Sequence, residues 1–109
     1  MRAALVIPAV LVLAGCMTLP VRGNVEGTDE TFSGSATGRM SRTGTLQITS
    51  STGVTCSGRF AYAGRNYGRG NFTCSDGRSG PFEFVSTGFA GTGRGYLDGK
   101  RFNFDFGFG

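Results

Sequence analysis

The side chains that could do acid–base or nucleophilic chemistry are few, and their spacing works against most of it. The chain has no His, so it lacks the side chain that shuttles protons near neutral pH and the commonest metal ligand. Serines abound, but nothing stands ready to activate one, and Lys100 alone beside a turn signal is a poor base. Asp76 and Asp98 each precede a Gly and read as turn formers. Glu83 and Asp105 remain as outward-facing strand carboxylates, a pair too ordinary in a β protein to be read as a glycosidase acid and nucleophile. The run Gly95-Tyr96-Leu97-Asp98-Gly99-Lys100-Arg101 has too little chain between its glycines for a phosphate loop and no Ser or Thr after the Lys. Gly91, Gly93 and Gly95 lead into a turn and not a helix, so there is no dinucleotide fingerprint. Cys16, Cys56 and Cys74 show no C-x-x-C spacing and have too few companions to hold a metal. The expectation is a chain without catalytic activity, metal or cofactor.

What remains is charge and pattern. The chain has 109 residues, enough for one domain, with 11 Lys+Arg against 7 Asp+Glu. Between Arg59 and Arg101 the cations Arg59, Arg65, Arg69, Arg78, Arg94, Lys100 and Arg101 outnumber Asp76, Glu83 and Asp98. Whether these form a site depends on which face of which element they occupy.

The N-terminus settles the compartment expected. Met1-Arg2 leads into an uncharged apolar run from Ala3 to Leu13, too short to span a bilayer comfortably and suited to an export signal. It ends in Leu13-Ala14-Gly15-Cys16, which resembles the lipobox of bacterial lipoproteins at all four positions. The resemblance implies cleavage before Cys16, a diacylglycerol on its sulfur, and membrane anchoring. It also implies sorting to the outer membrane, because Met17 and not Asp follows the lipidated residue. The protein would then face the periplasm or the cell surface, and nucleic acid is excluded as a partner by export. Lipidation of Cys16 leaves Cys56 and Cys74 in an oxidising compartment, where they are expected to form a structural disulfide. Residues 1–15 are therefore assigned to a signal peptide and 16–30 to a lipidated N-terminus and flexible spacer, because Pro20 and two glycines break any period there. Residues 31–109 are assigned to the folded domain.

From Thr31 onward apolar and polar residues alternate in short stretches split by Gly, Ser, Asn and Asp, which predicts an all-β domain with little or no helix. Hairpin registers follow from keeping the large residues on one face, since a one-residue slip flips every side chain. A two-residue Asp98-Gly99 turn sets Phe102, Phe104 and Phe106 opposite Gly95, Gly93 and Gly91, and Phe108 opposite Phe89. A hairpin centred on Arg65 sets Cys56 opposite Cys74, at a non-hydrogen-bonded position within disulfide reach, and Phe60 opposite Gly70. A three-residue Ser75-Asp76-Gly77 loop with Gly77 left-handed brings Phe82 opposite Gly70. The predicted strands run near 31–37, 44–50, 54–62, 69–74, 79–86, 88–97 and 100–108. Short connections make this an antiparallel meander of about six or seven strands, and glycine rows facing Phe rows let it coil strongly or close into a small barrel. Arg59, Arg69, Arg94 and Arg101 then share the face away from the Phe rings, with Tyr96 beside Arg101. That face is a solvated surface or a site for anionic lipid head groups or an acidic envelope protein.

The segment Gly68-Arg69-Gly70-Asn71-Phe72-Thr73-Cys74-Ser75-Asp76-Gly77 resembles the core of a MORN repeat, and Gly93–Gly99 is a shortened echo. That resemblance implies hairpin units in an open sheet used for binding or scaffolding. The functional expectation is thus a lipid-anchored binding or scaffold module of the envelope. Two alternatives stand beside it. One is an inhibitor of an extracytoplasmic hydrolase such as lysozyme, since Ser57–Tyr62 resembles the Ser-Gly and Tyr elements of that inhibitor family. The other is a small outer-membrane barrel, since Phe102–Phe108 resembles a terminal strand of such proteins.

Overall fold

Residues 16–108, described in a computed structural model, run as strands that each turn back on the one before. They are β1 (Cys16–Val25), β2 (Thr31–Arg39), β3 (Thr43–Ser50), β4 (Thr55–Tyr62), β5 (Tyr67–Cys74), β6 (Ser79–Thr87), β7 (Ala90–Leu97) and β8 (Lys100–Gly107). Neighbours in sequence are neighbours in the sheet, and β8 returns to β1 to close an eight-stranded antiparallel barrel. The expected signal peptide, with Leu13, Ala14 and Gly15, lies outside the described residues.

Closure follows from the alternation of large and absent side chains around the barrel. One cross-strand row reads Gly44, Phe60, Gly70, Phe82, Gly95, Phe102 from β3 to β8. The next reads Gly68, Phe84, Gly93, Phe104, Gly23 and Phe32 from β5 around to β2. Each ring is paired with at least one glycine on an adjacent strand, so the wall can bend inward where a Cβ would block it. A Cβ on Gly68 would strike the Phe84 ring, and one on Gly93 the Phe104 ring. The rings meet edge to face in the interior, as Phe32–Phe102, Phe60–Phe84 and Phe72–Phe102 do at centroid distances of 5.3, 5.2 and 5.3 Å.

The three hairpin registers predicted from the sequence are the ones observed: Gly93 faces Phe104, Cys56 faces Cys74 and Gly70 faces Phe82. Asp98 and Gly99 both have positive φ, 51° and 85°, the conformation of a type I′ turn. Gly77 is left-handed at φ 93°. Ser75 N–H donates to Thr55 O at 2.7 Å, which places Cys56 and Cys74 at the adjoining non-hydrogen-bonded position, and they are disulfide-bonded.

The structure corrects three expectations. The segment read as a flexible spacer is β1 for most of its length, so the folded unit includes Cys16–Val25 and does not start near residue 31. Its inward positions Leu19, Val21, Gly23 and Val25 carry the alternation that Pro20 obscures, and Pro20 falls where β1 is paired with β2 alone. The sheet is closed, not open as the repeat resemblance implies. Phe89 lies on the Gly88–Phe89 turn and Phe108 beyond β8, so the ladder ends at Ala90 and Gly107 and those two rings are not a cross-strand pair.

Candidate functional site

The barrel has two unlike ends. At one end stand the β1–β2, β3–β4, β5–β6 and β7–β8 connections; the β2–β3, β4–β5 and β6–β7 connections, Cys16 and the end of β8 stand at the other. The first end is solid. Val25, Ile48, Cys56, Phe72, Leu97 and Phe102 are fully buried there. Arg78 caps it: Nη1 and Nη2 donate to Glu30 Oε1 and Oε2 at 2.9 and 2.8 Å, and Nε donates to Asp76 Oδ2 at 2.8 Å. Its guanidinium also lies over the Phe32 ring at 6.0 Å. The Arg78 hydrogen bonds hold the Glu30 carboxyl below its ordinary range despite the opposing effect of burial, and they raise the Arg78 guanidinium above its own.

The second end is hollow. Phe60, Tyr62 and Phe106 are only half-buried, and with Leu19, Val21, Ala36, Leu46, Phe84 and Phe104 they line an apolar cavity of about 350 Å³ that reaches the rim at Cys16. Among these residues the polar groups are sparse: Tyr62 Oη lies 3.4 Å from Ser86 Oγ at the wall. The seam between β1 and β8 runs from Val21–Phe106 to Val25–Phe102, and Cys16–Pro20 of β1 extend past it paired with β2 alone. Around the rim stand exposed apolar side chains, with Met17, Met40, Phe89 and Phe108 at 45, 80, 63 and 74 % accessibility.

Charge follows the same axis. Glu26, Asp29, Glu30, Asp76 and Asp98 sit at the solid end and Glu83 and Asp105 on the wall, which accounts for all 7 side-chain carboxylates of the chain. The connections at the mouth carry Arg42 and Arg65, with Arg39 at the end of β2, and no acidic side chain. Arg42 is positioned with care. It adopts φ 69°, unfavourable for a residue with a Cβ, and its guanidinium lies 4.8 Å from the Tyr62 ring centroid while Nη2 donates to Gly64 O.

The basic face expected from the sequence is present but mixed. Arg69, Arg94, Tyr96 and Arg101 line one shallow groove on the outer wall, and Arg59 lies apart, in a second groove with Gln47 and Ser57. Glu83 stands between Arg69 and Arg94 in the register, 3.8 Å from Arg94 Nε, and accepts from Tyr67 Oη at 2.7 Å. Tyr96 lies opposite Arg101 as the register predicted, and Arg101 Nη2 donates to Tyr96 Oη at 3.2 Å. Sequence reasoning missed both the Arg78–Glu30 cap and the hollow mouth. The cap joins residues 48 apart, which no local pattern reveals. The mouth had a signal: Met40 and Phe89 are large apolar residues on connections, where polar ones belong.

Among the described residues no group of acidic or Cys side chains is arranged to hold a metal ion. No family model and no curated protein matches the chain. Two solved structures share its fold. A redesigned β-barrel, mFAP1, bound to DFHBI, has a TM-score of 0.66 at 17% identity over 84% of this chain and 92% of that one. A de novo designed fluorescence-activating β-barrel has a TM-score of 0.63 at 18% identity over 83% and 89%. At such identities the likeness is one of architecture.

Proposed function

We propose that this chain is a lipid-anchored binding or scaffold module of the bacterial cell envelope, without catalytic activity, tethered through Cys16 and standing with its mouth toward the membrane. The observation that carries this reading is the polarity of the barrel. Cys16, the exposed rim of Met17, Met40, Phe89 and Phe108, and the cations Arg39, Arg42 and Arg65 share one end, while the carboxylates keep to the wall and the far end. An apolar rim set among cations is what a bilayer surface with anionic head groups accommodates, and it is costly to leave facing water.

The wall argues against a spanning barrel. Thr43, Thr45, Gln47 and Thr49 on β3, and Thr55, Ser57 and Arg59 on β4, are exposed and polar. A membrane-spanning barrel presents an apolar outer band about 25 Å tall. The membrane is therefore met by the rim. The half-filled interior supplies the binding element, since a barrel of this size is just wide enough for side chains or one small ligand.

The test is mass spectrometry of the native protein taken from an envelope preparation, with membrane fractionation of a Cys16→Ser variant. The expected result is an acylated N-terminal Cys16, no free thiol, and release of Cys16→Ser from the membrane fraction. An unprocessed Met1 or a free Cys16 thiol in the mature protein overturns the reading.

A further inference from the structure

We propose that the barrel mouth is a binding site for a single acyl chain carrying an anionic head group, with the chain in the interior cavity and the head at Arg39 and Arg42. This deepens the reading above by naming the ligand class, and it is tested independently of the anchor. Four observations converge. The cavity is of ligand size, about 350 Å³ against a usual range of roughly 300–1,000 Å³. Its lining is aliphatic and aromatic from Leu19 and Val21 to Phe104 and Phe106, with no charged group below the rim and Tyr62 Oη as its side-chain hydroxyl, so it suits a hydrocarbon better than a polar body. The charges at its entrance are of one sign. Arg39 lines the opening and has no ion pair among the described residues, and Arg42 is held against Tyr62, itself part of the lining, in a backbone conformation an Arg adopts at a cost. Finally, the seam between β1 and β8 stops at Val21–Phe106, so at the mouth Cys16–Pro20 of β1 are paired with β2 alone and have no neighbour on the β8 side.

The division of labour is that of an amphiphile site. Apolar burial in the hollow half supplies affinity without direction, and a guanidinium at the rim fixes which end of the ligand stays in water. The solid half, filled by Phe72, Phe102 and Ile48, sets the depth at which the chain must stop. Two sources would supply this chemistry: a free fatty acid, or a lipid that lifts one chain out of a bilayer.

Every ladder among the described residues lies within residues 16–107, so a form beginning at residue 16 with Cys16→Ser keeps all eight strands. Titration calorimetry of that form with dodecanoate below its micellar concentration is expected to show saturable one-to-one binding, with dodecanol weaker by about tenfold or more for want of the charge. Ala36→Phe, which fills the cavity, is expected to abolish binding of both. Arg39→Gln combined with Arg42→Gln is expected to bring dodecanoate down to the level of dodecanol and leave dodecanol unchanged. That second variant keeps the test decisive should Ala36→Phe fail to fold. Flotation with phosphatidylglycerol vesicles separates the sources. Dodecanoate binding lost in the filled variant supports a free fatty acid, and vesicle binding lost in the same variant supports a membrane lipid. Absence of saturable dodecanoate binding, combined with vesicle binding that survives Ala36→Phe, overturns the site and leaves only rim docking. Equal loss of dodecanoate and dodecanol in the double Arg variant overturns the head-group assignment.

Discussion

Gly93 and Thr92 are adjacent in β7 and face opposite ways, which makes them a sharp probe of what a single position does. Gly93 lies under the Phe104 ring and close to Glu83 O, while Thr92 is exposed on the wall beside Asp105. Gly93→Val is expected to destabilise by about 1–3 kcal/mol through overpacking, and Thr92→Val to leave the melting temperature nearly unchanged. Equal loss at both positions would contradict the register. This pairing was legible in the sequence because only one loop length keeps every Phe off the wet face. The Arg78–Glu30 cap was not, since nothing local to either residue names the other. Its consequence is a pH dependence. The Glu30 carboxyl is held below its ordinary range by Arg78, so its contribution is complete above the unfolded carboxylate range and is lost as pH falls through the lowered folded value. Thermal melts from neutral to acid pH should show stability falling in the acid limb, and Glu30→Gln should be less stable at neutral pH with a shallower acid limb. An unchanged limb in that variant would mean another carboxylate governs it.

Among the elements, the hairpins were readable and the first strand was not. Asp98-Gly99 and Ser75-Asp76-Gly77 are turn signals with fixed conformational demands, so the strands on either side could be put in register. β1 has no such signal on its N-terminal side, and its role depends on β8, far along the chain. A form beginning at Thr31 would lack β1 and leave the edges of β2 and β8 open, a template for aggregation. It is expected to be insoluble or oligomeric by size-exclusion chromatography, whereas a form beginning at Cys16 is expected to be a folded barrel. A monomeric, cooperatively melting form from Thr31 would show that closure is dispensable. The Cys56–Cys74 link joins β4 and β5, whose register already places the two residues face to face. Replacing both with Ser is expected to cost about 3 kcal/mol if the effect is chain entropy across the 18-residue separation, read as a lowered denaturation midpoint.

For the molecule as a whole, the material of the barrel was legible in the chain but its direction was not. Alternation marks which residues point inward, yet it is silent on which end of the interior is full. That depends on where Phe72 and Phe102 stop and where the half-buried Phe60, Tyr62 and Phe106 begin. Of the cations expected to make an outer basic face Arg94 is paired with Glu83, whereas the connections at the rim carry Arg42 and Arg65 and no carboxylate. Vesicle flotation of the Cys16→Ser form beginning at residue 16 separates the two surfaces. Arg39, Arg42 and Arg65 changed together to Gln should weaken binding to anionic vesicles by about 1 kcal/mol for each charge near the surface, with salt having the same direction of effect. Arg59, Arg94 and Arg101 changed to Gln should matter far less. The reverse order would return the membrane contact to the wall.

The seam between β1 and β8 also bears on time. Every other ladder joins strands adjacent in sequence and can form as soon as its own turn does, but Val21 must wait for Phe106. On a chain that emerges N-terminus first, β1 is made earliest and gains its second neighbour last. The slow step of folding is therefore expected to be one long closure and not the accumulation of hairpins, because the entropy of bringing distant segments together must be met before their contacts offset it. The disulfide shortens that closure only slightly, by bypassing the 18-residue interval between its cysteines, and it lies within a hairpin already formed when the seam closes, so its reduction should slow folding from the unfolded chain and leave the unfolding rate little changed.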